Sequence, residues 1–297
     1  MNRTVDMTKG NAVGHLLRFA LPLLITNLGQ QLYMIADAAI VGRGVGVKAL
    51  AAVGATDWSY WLILWTVVGF TQGFSTFVSR YFGEKNFEKT NKVIGNSIVL
   101  TLVISVILTL VGVFVSDYVL KLLNTPEDIF SDAHTYLVIL ISGTVAVAAY
   151  NLFAAVLRAF GDGRSPLVAM GIAATLNIAL DCLFVFSFGW GILGAAIASI
   201  TSQAIAFIYC LIKLIQIPFL KLGSKSFKLD WHMVKELLFF GIPLALEFIV
   251  IALGGIFLQG AVNSFGSVFI AGYTATNKVY GLLECSAISL GHASSTF

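Results

Sequence analysis

Charged residues are scarce in this sequence. Asp, Glu, Lys and Arg make up 11% of its 297 residues, whereas a soluble domain usually carries roughly 25%. Hydrophobic residues make up 58%, and they form runs long enough to cross a bilayer, which takes about 20 mostly apolar residues. The strict polar and apolar alternation that is typical of membrane β-barrels is missing as well. The composition therefore predicts an all-α integral membrane protein.

Residues for covalent catalysis and metal binding are also few. Cys182, Cys210 and Cys285 lie inside apolar runs, and their spacing indicates neither a metal site nor a disulfide. The four histidines are scattered, and no nucleophile stands in a triad-like arrangement. The glycine-rich loop LRAFGDGRSP, residues 157–166, lacks a Walker lysine and a preceding strand, which favours a tight hairpin over a phosphate site. We expect no enzymatic activity, no cofactor and no bound metal other than a coupling ion.

Eight apolar runs predict a polytopic helical bundle in the lipid bilayer. The predicted helices cover residues 16–41, 50–79, 93–115, 133–159, 166–188, 191–214, 236–263 and 267–291. The connections on one side of this bundle contain most of the basic residues: Arg3, Lys9, Arg18, Arg80, Lys85, Lys89, Lys92, Arg158, Arg164, Lys213, Lys221, Lys225, Lys228 and Lys235. Those on the other side hold only Arg43, Lys48 and Lys121. The positive-inside rule predicts a multi-pass plasma (inner) membrane protein with a cytoplasmic N-terminus, and bases confined to membrane ends do not indicate nucleic-acid binding.

The sequence pattern of the first predicted helix pair is repeated near the end of the sequence. The segment FALPLLITNLGQQ, from Phe19, is echoed by FGIPLALEFIVIA, from Phe240. Matching positions are Phe19 and Phe240, Pro22 and Pro243, Gly46 and Gly266, Ala51 and Ala271, Ala55 and Ala275, and Thr56 and Thr276. Because the period covers six predicted helices, each unit would be a six-helix lobe of a twelve-helix protein. We predict a first lobe at 1–220, a cytoplasmic linker at 221–236 and a partial second lobe, with two helices, at 237–297.

Two aspartates lie deep inside predicted membrane helices. At about 1.5 Å per residue, Asp37 lies about 8 Å below the outer end of the first helix and Asp181 about 10 Å below that of the fifth. Ser199 lies at a similar depth, about 12 Å below the outer end of the sixth helix. Tyr33 and Asn177 each precede one of the aspartates by one helical turn and share its helix face. Charged groups at such depth cost at least a few kcal/mol, so they are candidates for function.

Two uses of these polar groups are open from the residues alone. Hydrogen bonds between helices would stabilise packing, although amides and hydroxyls serve that purpose with less desolvation. Two carboxylates at one site should instead take up a proton near neutral pH, or bind a small cation together with amide and hydroxyl oxygens. We favour a coupling site for H⁺ or Na⁺.

A further acid lies beside three tryptophans. Asp57 precedes Trp58, Trp61 and Trp65, whose spacing is typical of one helix face. An aromatic belt at the membrane surface is favoured for this set. The alternative is that Asp57 and Trp61 line a path for a substrate.

Charged residues also occur in the two helices of the predicted second lobe. Glu247 lies in the seventh predicted helix, and Lys278 and Glu284 lie in the eighth. The two glutamates are candidates for lining a substrate path, and a lysine–glutamate ion pair is an equal alternative.

Four stretches in register resemble the multidrug and toxic compound extrusion (MATE) family. They are YMIADAAIVG, LRAFGDGRSP, LNIALD and GILGAAIAS, which begin at Tyr33, Leu157, Leu176 and Gly191. The resemblance implies a two-lobe, twelve-helix secondary transporter. Such a protein expels organic cations and other small amphipathic compounds in exchange for H⁺ or Na⁺, and we expect it to be monomeric.

The resemblance also implies roles for single residues. The groups through which family members couple transport correspond to Asp37, Tyr33, Asn177, Asp181 and Ser199. Threonine is usual at the last of these positions, so Ser199 is a mild departure that keeps the oxygen. Glu247 stands one turn after Pro243, which is earlier than the helix 7 acid of some members, and that role is not transferred to it.

Multidrug antiport by a protein of which this chain is a fragment is therefore the leading hypothesis, and the fragment alone should lack transport. If the repeat is coincidental, the eight helices are the complete bundle. A lipid-linked oligosaccharide flippase of related architecture is one rival, but it would need a basic cavity, and the first lobe has few intramembrane bases. A non-transporting membrane scaffold, for which Asp37 and Asp181 would be dispensable, is the other.

Overall fold

The computed structural model describes the backbone of residues 12–224 and 226–296. Side chains are described throughout, except at positions 12–20, 22–23, 25–27, 30, 288–289 and 291–296. Some residues named in the sequence predictions therefore lie outside the described part. For Arg3, Lys9 and Lys225 this holds for the whole residue, and for Arg18, Phe19 and Pro22 it holds for the side chain.

Nearly all described residues are helical, which confirms the predicted class. The helices are α1 (Ala12–Gly44), α2 (Val47–Gly83), α3 (Phe87–Leu122), α4 (Glu127–Ser142), α5 (Thr144–Ala159), α6 (Arg164–Asp181), α7 (Gly191–Ile215), α8 (Trp231–Asn263) and α9 (Ser267–Thr296). A π-helical turn, Cys182–Ser187, continues α6.

Length and composition identify five or six membrane spans among the described residues. The helices α2, α3, α6 with its π-helical turn, α7 and α8 can each cross a membrane, and the bent pair α4 and α5 makes a sixth span if counted as one. The helices α1 and α9 have 33 and 30 residues and include positions outside the described part, so the total of eight spans stays a prediction. The chain is a multi-pass membrane protein.

The predicted fourth helix, residues 133–159, is wrong as a single element. It consists of α4 and α5, which bend by 46° on either side of Gly143. Ile200 of α7 packs so closely here that a Cβ on Gly143 would lie 2.5 Å from its Cγ1. The apolar pattern runs on through the bend, so periodicity does not reveal it.

Glycines with left-handed backbone precede α2 and α9. Gly46 has φ +125° and Gly266 has φ +87°. This conformation favours glycine because a side chain there would be strained. The two residues hold matching positions of the sequence repeat. The turn from α1 to α2 and the turn from α8 to α9 therefore both contain a glycine with positive φ at the same place.

The first helix pair packs against the last pair. The helix α2 lies along α8, and α1 lies along α9. Small residues allow a close approach: a Cβ on Gly69 would lie 2.5 Å from the Cα of Ala245, and one on Gly73 would lie 2.6 Å from the Cα of Gly241. Such contacts are typical of helix packing in membranes. Since α2 also contacts α3, α4, α5 and α9, it is the central helix of the described bundle.

The connection between α7 and α8 is tied to α3. The buried amide nitrogen of Asn96 donates to the carbonyls of Ser226 at 3.4 Å and Lys228 at 3.3 Å, and the Asn96 oxygen accepts from the N–H of Asp230 at 3.0 Å. Asp230 also pairs with Lys92 at 2.6 Å and caps α8. Because of this cap, α8 begins at Trp231, inside the predicted linker 221–236. The division into lobes stays a prediction.

Candidate cation site

The two intramembrane aspartates are in contact with each other. The carboxyl groups of Asp37 of α1 and Asp181, the last residue of α6, lie close enough for a hydrogen bond between them. Asp181 is fully buried, and the Oδ1 atom of each aspartate is buried with no hydrogen-bond donor in the described part of the chain. A carboxylate can only accept hydrogen bonds. Two carboxyl groups in such a contact can share one proton or hold a cation between them.

A neutral network surrounds the carboxyl pair. The amide nitrogen of Asn177 donates to Asp181 Oδ2 at 3.0 Å and to the Tyr33 hydroxyl at 3.2 Å, and its oxygen accepts from the Ser199 N–H at 3.2 Å. This amide orientation matches donors with acceptors at both ends. The Ser199 hydroxyl lies 3.3 Å from the end of the Asn177 amide that also contacts the Ser199 backbone N–H. The structure thus brings Tyr33, Asp37, Asn177, Asp181 and Ser199 together from α1, α6 and α7.

The direction of the Asn177 amide bears on which ion the cluster suits. With its nitrogen toward Asp181, the amide donates to a carboxylate and supplies no oxygen to a cation there. Sodium prefers oxygen ligands, so a sodium ion beside Asp181 would require the amide to turn over. Among the described residues, no group of three or more His, Cys, Asp or Glu is placed to hold a metal ion. This orientation directs a hydrogen-bond donor, and not an oxygen, at Asp181.

The π-helical turn directly after Asp181 was missed by the sequence predictions. Its wide turn includes a hydrogen bond from the Phe188 N–H to the Leu183 carbonyl, at 3.0 Å. The end of α1 packs on it, since a Cβ on Gly44 would lie 2.5 Å from Val185 Cγ1. Turns of this kind are frequent at functional sites. The glycine at position 44 is compatible with this contact but does not specify a π-helical turn.

A second charged group lies between the first and last helix pairs. Lys278 of α9 forms an ion pair with Asp57 of α2, with Nζ 2.8 Å from Oδ2, and the two side chains are 11% and 25% exposed. The same ammonium lies 5.9 Å from the ring centre of Trp61. Gln31 of α1 donates to the backbone carbonyl of Lys278 at 2.6 Å. The group therefore joins α1, α2 and α9.

The predicted lysine–glutamate pair in the second lobe is wrong. Lys278 pairs with Asp57 because α9 packs along α2. Glu247 and Glu284 are both exposed. Their role in lining a substrate path stays a prediction.

The three tryptophans form one cluster against the last helix pair. Trp58, Trp61 and Trp65 pack on one another with ring centres 5.2, 6.0 and 5.1 Å apart, and Trp65 lies 6.1 Å from Phe248 of α8. An aromatic belt at the membrane surface stays a prediction, as does a role of Asp57 and Trp61 in lining a substrate path.

Comparisons with known proteins agree with this fold. A family model described as MatE matches residues 22–183, which is more than half of the chain. The probable multidrug resistance proteins YpnP and YoeA of Bacillus subtilis (strain 168) are 31% and 29% identical over 98% and 94% of this chain. The chain spans 65% and 62% of the length of these two relatives.

A solved structure extends the agreement to three dimensions. It is described as the inward-facing conformation of a multidrug resistance MATE family transporter of the MOP superfamily, and it matches with a TM-score of 0.83 at 24% identity. The match covers 92% of this chain and 64% of that one. At this identity the likeness shows the fold alone, and the named relatives are transporters or resistance proteins, not enzymes. Taken with the family model, these matches establish that the chain belongs to the MATE family.

Proposed function

We propose that this protein, or a longer protein of which it is part, exports small cationic or amphipathic compounds across the plasma membrane in exchange for H⁺, with Na⁺ as the alternative coupling ion. The observation that carries the proposal is the buried contact between Asp37 and Asp181. Helix packing would need no carboxyl groups here. The names of YpnP and YoeA support drugs as the class of substrate.

Coupling requires that the ion bind two conformations unequally. Loss of the shared proton leaves two carboxylates in contact, and like charges about 4 Å apart repel by about 4 kcal/mol at an effective dielectric constant of about 20. Movement of α1 away from α6 relieves this repulsion. Because α1 packs along α9, the movement would reach the last helix pair.

The substrate would meet acids and aromatic rings. Asp57 and Trp61 provide a carboxylate beside an indole face, a combination that attracts organic cations, and Glu247 and Glu284 add negative charge. This environment disfavours the flippase alternative, because a pyrophosphate headgroup needs bases. Lys278, the base that lies beside these groups, is already neutralised by Asp57.

The same proposal orients the chain with its N-terminus in the cytoplasm and treats it as a monomer. Arg80, Lys89, Lys92 and Arg164 lie in or beside the connections on the side assigned to the cytoplasm. The described connections on the opposite side carry fewer bases, as the positive-inside rule requires.

Asp37→Asn and Asp181→Asn test the proposal. Cells that express either variant in the longer protein should lose proton-driven ethidium efflux while retaining the protein in the membrane. Purified wild-type protein should also release protons into weakly buffered solution when tetraphenylphosphonium binds, and the variants should not. Asp117→Asn, which removes an exposed carboxylate paired with Lys121, is the control and should behave as wild type. Efflux retained in both site variants would refute the assignment, and efflux that needs a sodium gradient would replace H⁺ by Na⁺.

A further inference from the structure

Lys278 occupies a position that suits an organic cation. Its ammonium contacts the Asp57 carboxylate at 2.8 Å and lies 5.9 Å from the centre of the Trp61 ring. A carboxylate and an aromatic face are the groups with which proteins bind ammonium compounds. We propose that Lys278 is a tethered competitor: it fills the cation subsite of the substrate, and a monovalent organic cation binds by displacing its ammonium from Asp57 and Trp61. This inference rests on the proposed function and adds the subsite and the group that must leave it.

Aromatic walls give a bulky cation an advantage over the lysine. The Trp61 and Trp65 rings lie 5.1 Å apart, and Trp65 reaches Phe248 at 6.1 Å. A cation with aromatic or aliphatic groups can bury apolar surface against these rings, at roughly 25 cal/mol per Å². The slim side chain of Lys278 covers much less of them. The substrate therefore gains apolar contacts that the tethered ammonium lacks, and these offset the benefit of the tether.

The ion pair is also accessible enough to be exchanged. The Asp57 side chain is 25% exposed and that of Lys278 is 11% exposed, so the pair is not sealed in a core. Replacing a buried ion pair by apolar residues is often neutral for stability. Stability alone is therefore a weak reason for a carboxylate and an ammonium at this position.

Exchange at this subsite would also affect the cation site on α1. Asp37 interacts electrostatically with both Asp57 and Lys278. A bound organic cation adds a positive charge beside that of Lys278, which favours loss of the proton shared by Asp37 and Asp181. Drug binding and proton release would thus be linked through charge alone, without a change in fold.

Binding of radiolabelled tetraphenylphosphonium to the purified chain in lipid nanodiscs tests the inference. Lys278→Met removes the competitor and frees Asp57, so its Kd should fall at least fivefold below that of wild type. Lys278→Arg keeps a cation in place and should bind no more tightly than wild type. Lys48→Met, which breaks the exposed Lys48–Asp128 pair, is the matched control and should leave Kd unchanged. In each variant, thermal unfolding reports whether the fold is retained.

Asp57→Asn provides a second measurement that does not depend on Lys278→Met being folded. This variant should weaken binding, because it removes the carboxylate that holds either cation. Binding that depends on Asp57 but is not tightened by Lys278→Met would overturn the inference and leave the proposed function intact. Unchanged binding in Asp57→Asn would overturn it as well. Absence of binding in every variant would overturn both the inference and the assignment of organic cations as substrates.

Discussion

At the residue scale, the neutral side chain of Asn177 is oriented so that it donates a hydrogen bond to Asp181. Asn177 can present either its nitrogen or its oxygen to Asp181, and the backbone N–H of Ser199 holds the amide oxygen on the far side, at 3.2 Å. The Ser199 hydroxyl, 3.3 Å from the same end, adds a second contact. These contacts keep an N–H directed at the carboxylate. The Ser199 side chain therefore helps to hold the Asn177 N–H toward Asp181.

Ser199→Ala tests this role, with Ser199→Thr as the conservative partner. The alanine variant loses one hydrogen bond, worth about 1 kcal/mol or roughly a fivefold change in ion affinity. The threonine variant keeps the oxygen and should match wild type. The measurement is the pH midpoint of proton release on tetraphenylphosphonium binding. If the alanine variant has the wild-type midpoint, the hydroxyl has no part in holding the amide.

Helical spacing and depth were sufficient to select the five clustered residues. Asp37 with Tyr33, and Asp181 with Asn177, are pairs one turn apart, so each pair shares a face whatever the tertiary structure. The partner of Lys278 could not be found in this way. Asp57 lies 221 positions away, and only the packing of α9 along α2 brings them together.

At the element scale, a buried amide explains how the connection 216–230 is held. Asn96 lies in the apolar helix α3, where a polar side chain is costly, and it serves three backbone groups of the connection. The ion pair of Asp230 with Lys92 adds a charged contact to the same surface, at 2.6 Å. The start of α8 is therefore fixed to α3.

In the Asp230→Asn variant, the ion pair that joins the start of α8 to α3 is lost, and its contribution to stability should no longer depend on pH. The hydrogen bond from Lys92 holds the pKa of Asp230 below its usual range in the folded protein. A lowered folded pKa means that the carboxylate contributes stability above the unfolded pKa of about 4, and that this contribution is lost as pH falls through the folded value. The advantage of wild type over the variant in thermal unfolding should be constant above about pH 5 and shrink below about pH 4.

Asp132→Asn is the control for this pH dependence, because it removes one carboxylate from α4, away from the connection 216–230. Its stability relative to wild type should not follow the Asp230 pattern. A wild-type advantage over Asp230→Asn that persists unchanged to pH 3 would show that the ion pair does not hold the connection.

The sequence predicts elements better than it predicts their interruptions. The long apolar runs locate most helices, because burial in lipid demands them. The bend at Gly143 and the π-helical turn after Asp181 depend instead on contacts with Ile200 and Gly44, which are distant in sequence. Local pattern carries no information about such contacts.

At the scale of the whole molecule, the repeated helix pairs meet crosswise. By the sequence repeat α1 corresponds to α8 and α2 to α9, and the most extensive contacts between the two pairs are α1 with α9 and α2 with α8. These two contacts are therefore equivalent, as an internal two-fold arrangement requires. The ion pair breaks the equivalence, since the repeat places Asn277 where the first pair has Asp57.

The bent pair α4 and α5 can be one membrane span or a loop that returns to the same membrane surface. Which of the two it is determines on which side of the membrane each later connection lies. The structure favours one span. At the start of α4, Asp128 pairs with Lys48 at the start of α2, at 3.2 Å. After the end of α5, the Phe160 ring lies 4.9 Å from that of Phe82, at the opposite end of α2. The pair therefore crosses the bundle from one end to the other.

Cysteine labelling in cells would establish which end faces the cytoplasm. With Cys182, Cys210 and Cys285 replaced by alanine, Glu84→Cys and Asp162→Cys should react with a membrane-impermeant maleimide only after permeabilisation, because the bases beside both positions favour the cytoplasm. Glu127→Cys, at the opposite end, should react in intact cells. The reverse pattern would mean an inverted chain. Labelling of both Asp162→Cys and Glu127→Cys from outside would mean that α4 and α5 do not cross, which would also place the bases that follow α7 on the wrong side for the positive-inside rule.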